Sequence, residues 1–208
     1  MFEDRQDAAR QLAAKLGRFK GQDAVVLALP RGGVVLGAEV AKRLELPMGL
    51  VLVRKIGHPY SPEYAIGAVA EHSKPIFNQG EAASVDAKWL EEAVRAARRL
   101  IEQRRQDYYG QEFKPPKIKG KTAILVDDGI ATGLTMQAAV KSAREQGAEK
   151  VVVAVPICPS DSLDKIKQYA DETIVLYPPA KFLGAVGSHY RHFDQIDDSE
   201  VKQLLKQL

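Results

Sequence analysis

The stretch that most constrains the fold of this chain is residues 123–135, AILVDDGIATGLT. Its first four residues form a short apolar run between polar neighbours, which is typical of an interior strand in a parallel sheet. Asp127 and Asp128 follow at the carboxyl end of that predicted strand, where open α/β sheets bind their ligands. Residues 132–135 then form a Thr/Gly turn before a helical apolar pattern. The stretch therefore predicts a strand, a ligand-binding turn and a helix in succession.

The chemistry of this turn favours a ligand that carries both a phosphate and hydroxyl groups. The first backbone N–H groups of a helix have no partner within it, and together with the hydroxyls of Thr132 and Thr135 they can hold an anion. Carboxylates repel phosphate, so we expect Asp127 and Asp128 to face sugar hydroxyls or a divalent cation. The alternative is an ordinary strand–turn–helix with an acidic cap. The complete pattern favours a phosphosugar site.

The same residues resemble the motif with which type I phosphoribosyltransferases bind phosphoribosyl pyrophosphate (PRPP). That motif is four apolar residues, two acids, an apolar pair and a small-Thr-Gly-x-Thr loop. Gly129 is a mild departure, because an aliphatic residue is usual at its position. The resemblance implies that Asp127 and Asp128 hold the 2′- and 3′-hydroxyls of the ribose. It also implies that residues 131–135 enclose the 5′-phosphate.

A second predicted ligand-binding element follows the first strand, in the Leu-Pro-Arg-Gly-Gly sequence of residues 29–33. Glycines allow a close approach to the backbone, and a guanidinium can hold phosphate oxygens through two hydrogen bonds. The family resemblance assigns Arg31, Gly32 and Gly33 to the pyrophosphate of PRPP. Taken alone, these residues predict an ordinary strand-to-helix turn, so the assignment depends on the 127–135 motif.

Two adjacent cations, Arg54 and Lys55, follow a second predicted strand at residues 49–53. Cations at a strand end can stabilise a departing pyrophosphate. Each is equally explained as a solvated loop charge, and the functional interpretation is favoured for Lys55 over Arg54. In the segment that follows, Glu63 and Tyr64 are further candidate ligand contacts.

The assigned residues form two sets that overlap. The predicted catalytic residues are Asp127, Asp128, Arg31 and Lys55. The predicted PRPP-binding residues are Arg31, Gly32, Gly33, Asp127, Asp128, Gly129, Ile130, Ala131, Thr132, Gly133, Leu134 and Thr135. The resemblance also implies Mg²⁺, held through the oxygens of PRPP, with Asp127 and Asp128 as candidate ligands.

Strand and helix patterns alternate along the chain, which predicts an α/β fold. By resemblance this is the type I phosphoribosyltransferase fold: a mainly parallel central sheet flanked by helices, with an inserted long helix and a small C-terminal hood. We expect one domain, 1–208, with a lid or insert region at 54–121 and the hood at 178–208. The predicted strands are 24–29, 49–53, 66–70, 122–126, 151–155 and 173–176, and the predicted helices are 3–17, 34–44, 85–109, 134–147, 161–169 and 199–208.

Two segments interrupt the alternation. Residues 54–80 are rich in Pro, Gly and polar groups, which predicts a loop or hairpin over the site, able to act as a lid. Residues 85–109 form an amphipathic helix with six basic and five acidic residues. Because these charges nearly cancel, we interpret its polar face as solvated rather than as a nucleic-acid arm. Packing in a homodimer remains open as a third use.

Composition points to an ordinary soluble protein that binds neither membrane nor nucleic acid. The net charge is +3, and 45% of residues are hydrophobic and 27% charged. Cys158 is the sole cysteine, which excludes an intrachain disulfide. The N-terminus lacks the basic start and apolar core of a signal peptide, and no apolar run approaches the ~20 residues that span a bilayer. We therefore expect a cytoplasmic location.

The acceptor of the phosphoribosyl group is less constrained by the sequence. The candidate hood segment is residues 182–193, in which Tyr190 or Phe193 can stack on a planar base, although a core role is the favoured interpretation. His189 and His192 have helical spacing but no third ligand in sequence, so we reject a zinc site.

Ala131 stands where some purine phosphoribosyltransferases carry a carboxylate that assists the base. This difference weakens the assignment of hypoxanthine or guanine as the acceptor. Adenine, orotate or another acceptor remains an open alternative. Across nearly its whole length the chain resembles a stand-alone group of predicted phosphoribosyltransferases.

The function expected from these residues is Mg²⁺-dependent transfer of the 5-phosphoribosyl group from PRPP to a nitrogenous base or related acceptor, with release of pyrophosphate. Such an enzyme would belong to nucleotide metabolism. The alternative is a PRPP-sensing regulator that binds the ligand without transfer and acts through RNA or a partner protein. A P-loop nucleotidase is disfavoured because Gly120-Lys121-Thr122 lacks the preceding glycine of the P-loop motif, since residue 115 is proline.

Overall fold

The computed structural model describes residues 1–110, 114–177 and 179–207. Parts of the predicted connector into the motif strand and of the predicted hood therefore lie outside the described residues. The helices are α1 Arg5–Lys15, α2 Gly32–Leu44, α3 Gln79–Ala82, α4 Ala87–Tyr109, α5 Leu134–Glu145, α6 Ser160–Lys167 and α7 Asp198–Leu205. The strands are β1 Ala24–Ala28, β2 Met48–Leu50, β3 Val53–His58, β4 Ser61–Ala70, β5 Ile76–Phe77, β6 Thr122–Val126, β7 Lys150–Val155 and β8 Glu172–Val175.

The central sheet is parallel throughout, and its strands lie in the order β2-β1-β6-β7-β8. Its two faces carry separate apolar cores, because alternate residues of each strand point to opposite sides. Val26 lies between Met48 and Ile124 in register, so β1 and β6 end at the same edge. This confirms the predicted α/β fold, and it brings residues 29–33 next to Asp127 and Asp128.

The predicted second strand is confirmed as β2, but the bounds predicted for it, 49–53, are wrong. β2 ends at Leu50, and Val53 begins β3, which pairs in the antiparallel direction with β4 in a separate β3-β4-β5 sheet. Val51 and Leu52 are both buried between the two strands. Because the apolar run continues through these residues, the sequence pattern does not show where the chain passes from the central sheet to the second sheet. The predicted strand at 66–70 is the second half of β4. Residues 54–80 were predicted to form a loop or a hairpin, and the hairpin is confirmed by the pairing of β3 with β4.

The long helix is confirmed as α4. The Asp86 side chain accepts a hydrogen bond from the Trp89 N–H at 2.9 Å and caps its start. Ala97, Ile101 and Tyr108 are buried on one face. In the part of the chain that the structure describes, no helix combines the length and apolarity needed to cross a membrane.

The two ends of the chain lie side by side. The Phe2 N–H donates to the His189 carbonyl at 2.8 Å, and the Arg191 N–H donates to the Phe2 carbonyl at 3.0 Å. The Phe2 ring is fully buried and packs edge-on against Tyr177, with 5.0 Å between ring centroids. Asp197 caps α7 by accepting from the Glu200 N–H, so this helix begins one residue earlier than predicted. The N-terminal strap (residues 2–5) is thus hydrogen-bonded to the C-terminal segment (residues 182–194).

Replacing Phe2 with Ala is expected to lower the free energy of unfolding by about 3–5 kcal/mol, because it leaves a cavity where the ends meet. Urea denaturation measures this change, with Met1→Ala as the control because the Met1 side chain is largely exposed. A loss below about 1 kcal/mol would show that the contact between the ends contributes little.

Glu71, directly after β4, makes the free energy of unfolding depend on pH. Its Oε1 atom is buried without a close hydrogen bond among the described residues, and Arg105 Nε lies 3.5 Å away. Burial raises the pKa of this carboxyl to about 7, although Arg105 opposes the shift. Between pH 5 and pH 7 the folded protein therefore holds a proton that the unfolded chain releases, and this contribution to stability is lost as pH rises.

We expect Glu71→Gln to remove that contribution. Relative to the variant, the wild type should lose up to about 3 kcal/mol of unfolding free energy between pH 5 and pH 8. Urea denaturation at four pH values measures the difference. Parallel curves for the two proteins would mean that Glu71 has an ordinary pKa.

Candidate active site

A cavity of about 560 Å³ opens at the shared carboxyl edge of β1 and β6, between the loop that follows β6 and the β3–β4 hairpin. Two helices, α2 and α5, begin at the same edge. The lining combines acidic, cationic, hydroxyl and apolar groups. The lining residues are Pro30, Val53, Arg54, Lys55, Gly57, Pro62, Glu63, Ala65, Asp127, Gly129, Ile130, Ala131, Thr132, Gly133, Thr135, Met136 and Val186.

Asp127 is the motif carboxylate that lines the cavity. Its Oδ1 atom accepts a hydrogen bond from the Asp128 N–H at 2.9 Å. Burial, and then the neighbouring charge of Asp128, raises the pKa of the Asp127 carboxyl well above its usual range. A Cβ atom on Gly33 would lie 2.9 Å from Asp127 Oδ1, so only glycine lets α2 begin this close. The positive end of α2 therefore lies against the carboxylate.

Asp128 points elsewhere and does not line the cavity. Its Oδ2 atom accepts a hydrogen bond from Arg5 Nε at 2.8 Å, and its backbone carbonyl accepts one from the Tyr190 hydroxyl at 2.6 Å. Burial raises the pKa of the Asp128 carboxyl, while Arg5 opposes that shift. Sequence reasoning missed Arg5, because an arginine on the first helix gives no local sign of a partner 123 residues away.

Hydrogen bonds on the side away from the cavity hold the loop from Ala131 to Thr135, and the other side of the loop lines the cavity. The Ser162 hydroxyl donates to the Ala131 carbonyl at 2.7 Å, and the Ile130 N–H donates to the Ile157 carbonyl at 2.9 Å. Gly133, with a left-handed φ of 82°, precedes α5, and no side chain caps the helix there. The N–H groups of the first turn of α5 are thus available to an anion.

The predicted cations divide between two places. Arg54 and Lys55 line the cavity, but they lie within β3 of the hairpin and not at the end of a parallel strand as predicted. Arg31 precedes α2 and does not line the cavity. Burial raises the pKa of Tyr108, and the Arg31 charge opposes that shift. Hydrogen bonds within the start of α7 lower the pKa of Asp197, and the Arg31 charge adds to that shift, so Arg31 lies on the α4 and α7 side. The Pro30–Arg31 peptide bond is cis.

Gly129, the departure from the motif, packs against the C-terminal segment. A Cβ atom there would lie 2.5 Å from Val186 Cγ1 and 2.8 Å from Ile157 Cγ2. Val186 itself lines the cavity. The apolar volume that an aliphatic residue at position 129 would supply is therefore supplied by Val186, from a distant part of the chain.

The aromatic residues proposed for the acceptor do not line the cavity. Tyr190 is buried, and its ring centroid lies 5.3 Å from Phe2 and 4.9 Å from Phe193. His189 is also buried, and its Nε2 atom accepts a hydrogen bond from the Leu183 N–H at 2.9 Å. These side chains fix the C-terminal segment, and among its described residues Val186 is the one that reaches the cavity.

Comparison with known proteins decides the family. The profile described as phosphoribosyl transferase domain matches residues 2–182, most of the chain. This chain belongs to the phosphoribosyltransferase family. Two Mycobacterium tuberculosis proteins, from strains CDC 1551 and H37Rv, each named "Putative phosphoribosyl transferase", are 44% identical to it over 212 residues. The match covers 99% of this chain and 46% of each relative, so the chain spans about half the length of the curated relatives it matches.

A solved structure shares the fold over the full length of this family member. The crystal structure of TT1426 from Thermus thermophilus has a TM-score of 0.84 and 37% sequence identity. The match covers 100% of this chain and 98% of that chain. The C-terminal segment, which the family profile leaves largely unmatched, is therefore included in this structural likeness.

The contact between Gly129 and Val186 gives a prediction for a pair of variants. Gly129→Ala should lower the unfolding free energy by about 1–3 kcal/mol, because the new methyl group overlaps Val186. Adding Val186→Ala should recover part of that loss by making room for it. Urea denaturation measures both, with Gly17→Ala as the control because a Cβ atom there meets no neighbour within 4 Å. Additive losses in the double variant would contradict the contact.

Proposed function

We propose that this chain transfers the 5-phosphoribosyl group of PRPP to a nitrogenous base or a related acceptor and releases pyrophosphate. The observation that carries the proposal is that Asp127, the 131–135 loop and Lys55 line one cavity. A carboxylate, a helix N-terminus and a cation together suit a sugar that carries hydroxyls and phosphates at two positions. Membership of the phosphoribosyltransferase family supports the same function.

The 5′-phosphate is assigned to the loop of residues 131–135. Its ligands would be the N–H groups of the first turn of α5 and the hydroxyls of Thr132 and Thr135. The hydrogen bonds from Ser162 and Ile130 hold the loop in place before the ligand arrives. Binding energy from this remote phosphate then serves to position the reacting carbon.

The ribose hydroxyls are assigned to the carboxylate pair, with Asp127 as the member in direct contact. Carboxylate oxygens also suit a Mg²⁺ ion shared with the ligand. Of the two candidate ligands, Asp127 lines the cavity and would hold the ion, whereas Asp128 is paired with Arg5. Among the described residues, no group of three His, Cys, Asp or Glu side chains is placed to bind a metal without help. When bound, Mg²⁺ would supply positive charge to the pyrophosphate oxygens.

In the reaction, the bond between C1′ and the pyrophosphate oxygen breaks, and its electron pair leaves with pyrophosphate. Lys55 is assigned to stabilise that departing charge, while Asp127 faces the positive sugar. The N–H groups at Gly32 and Gly33 keep their assignment to pyrophosphate by family resemblance, although these glycines lie beside the motif acids and do not line the cavity. The acceptor nitrogen bonds to C1′ and releases its proton to solvent. Arg31 remains a candidate pyrophosphate ligand, but its side chain must reorient to reach the cavity.

The assignment of the cations predicts different effects for two variants. Lys55→Gln should slow pyrophosphate release about 100-fold, because Lys55 lines the cavity, and Arg31→Gln should slow it by less. The measurement is a coupled pyrophosphate assay with PRPP, MgCl₂ and a panel of adenine, hypoxanthine, guanine, uracil and orotate. Lys20→Gln is the control, since Lys20 pairs with Glu45 on the surface. An unchanged rate for Lys55→Gln would contradict its role.

The same assay, combined with calorimetric titration of PRPP, separates transfer from sensing. Release of pyrophosphate that requires one base of the panel supports the transferase. PRPP binding without release for any acceptor would instead favour the regulator that acts through RNA or a protein partner.

A further inference from the structure

Arg5 is a nearly buried cation beside the motif acids, and the proposed reaction assigns it no role. Its exposed fraction is 9%. Nε donates to Asp128 Oδ2 at 2.8 Å, and Nη1 donates to the Asp194 carbonyl at 2.7 Å. The guanidinium carbon also lies 3.8 Å from the centre of the Phe193 ring. One side chain therefore joins α1, the end of β6 and the C-terminal segment.

The position of Arg5 is fixed by backbone contacts on either side. The strap of residues 2–5 is hydrogen-bonded to the C-terminal segment, through Phe2 to His189 and through His192 to Glu3. Gly32 closes the other side, because a Cβ atom there would overlap Asp128 Oδ2 and would lie 3.1 Å from Arg5 Nε. Arg5 thus lies against the predicted pyrophosphate loop as well as against the motif acids.

We propose that Arg5 is a positioning residue that holds Asp128 away from the cavity and leaves Asp127 as the carboxylate that meets the ligand. This inference rests on the proposed function. It assigns different tasks to the two motif acids, which the sequence pattern treats as equivalent. Asp128 becomes the link between the ligand site and the two chain ends.

The physical reason is the repulsion between two neighbouring carboxylates. Without a counter-charge, Asp128 adds a second negative charge beside Asp127 in a partly buried place, where like charges interact strongly. Arg5 neutralises Asp128 and fixes its direction through the Nε hydrogen bond, and the Nη1 bond to the backbone at Asp194 restricts the guanidinium itself. Asp127 is then free to turn a carboxylate oxygen toward the ligand.

The test is calorimetric titration of PRPP with MgCl₂ into wild type, Arg5→Gln, Asp128→Asn and the double variant. Arg5→Gln should weaken PRPP binding about tenfold, because it leaves Asp128 unpaired. The double variant should bind PRPP more tightly than Arg5→Gln, because Asp128→Asn removes the uncompensated charge. Arg10→Gln is the matched control on the same helix, since Arg10 pairs with Asp7 on the surface.

Two further variants keep the test independent of Arg5→Gln folding correctly. Arg5→Lys retains the charge but cannot make both hydrogen bonds, and it should bind with an affinity between those of wild type and Arg5→Gln. Asp127→Asn should weaken binding more than Asp128→Asn. Equal losses for the two acids would overturn the division of tasks.

The remaining outcomes separate this inference from the proposed function. A double variant that binds no more tightly than Arg5→Gln, while wild type binds well, overturns the positioning role alone. That result would mean that Asp128 contacts the ligand itself. Wild type that is folded but does not bind PRPP overturns the proposed function and this inference with it.

Discussion

Two consecutive carboxylates at the end of a buried strand must be compensated, and the surrounding structure supplies the compensation from two directions. The N-terminus of α2 lies against Asp127, where Gly33 permits the close approach. Arg5 forms an ion pair with Asp128, whose side chain is only 15% exposed. The Tyr190 hydroxyl donates to the backbone carbonyl of Asp128 and joins the C-terminal segment to the same residue. An unpaired buried charge costs several kcal/mol, so these contacts determine where α1 and the C-terminal segment can lie.

The part of the site that depends on local sequence could be predicted, and the part that depends on distant contacts could not. The strand, the two acids and the loop into α5 follow from residues 123–135, because each is encoded by neighbours in the chain. Arg5 and Val186 reach the same place from opposite ends of the sequence, through tertiary packing that no local pattern reports. The end predicted for the second strand, at residue 53, was wrong for a related reason, since burial continues where the hydrogen-bond partner changes.

The packing around Gly129 shapes one wall of the cavity, and under the proposed function this wall would face the acceptor. Val186 contributes apolar surface there, and Ala131 supplies no carboxylate beside it. The aromatic side chains of the C-terminal segment are used in contacts with Phe2 and Arg5. Recognition of an acceptor by this chain would therefore rely on shape and backbone groups at that wall, together with Glu63 from the hairpin.

We claim that a single cavity, at the carboxyl ends of β1 and β6, binds both the 5′-phosphate and the pyrophosphate of PRPP. Phosphorus NMR of PRPP with MgCl₂, titrated with wild type and with Asp127→Asn, tests it most directly. We predict that wild type shifts or broadens the 5′-phosphate and both pyrophosphate resonances together, and that Asp127→Asn greatly reduces the effect. Unchanged spectra with folded wild type, or an effect on the pyrophosphate resonances alone, would contradict the claim.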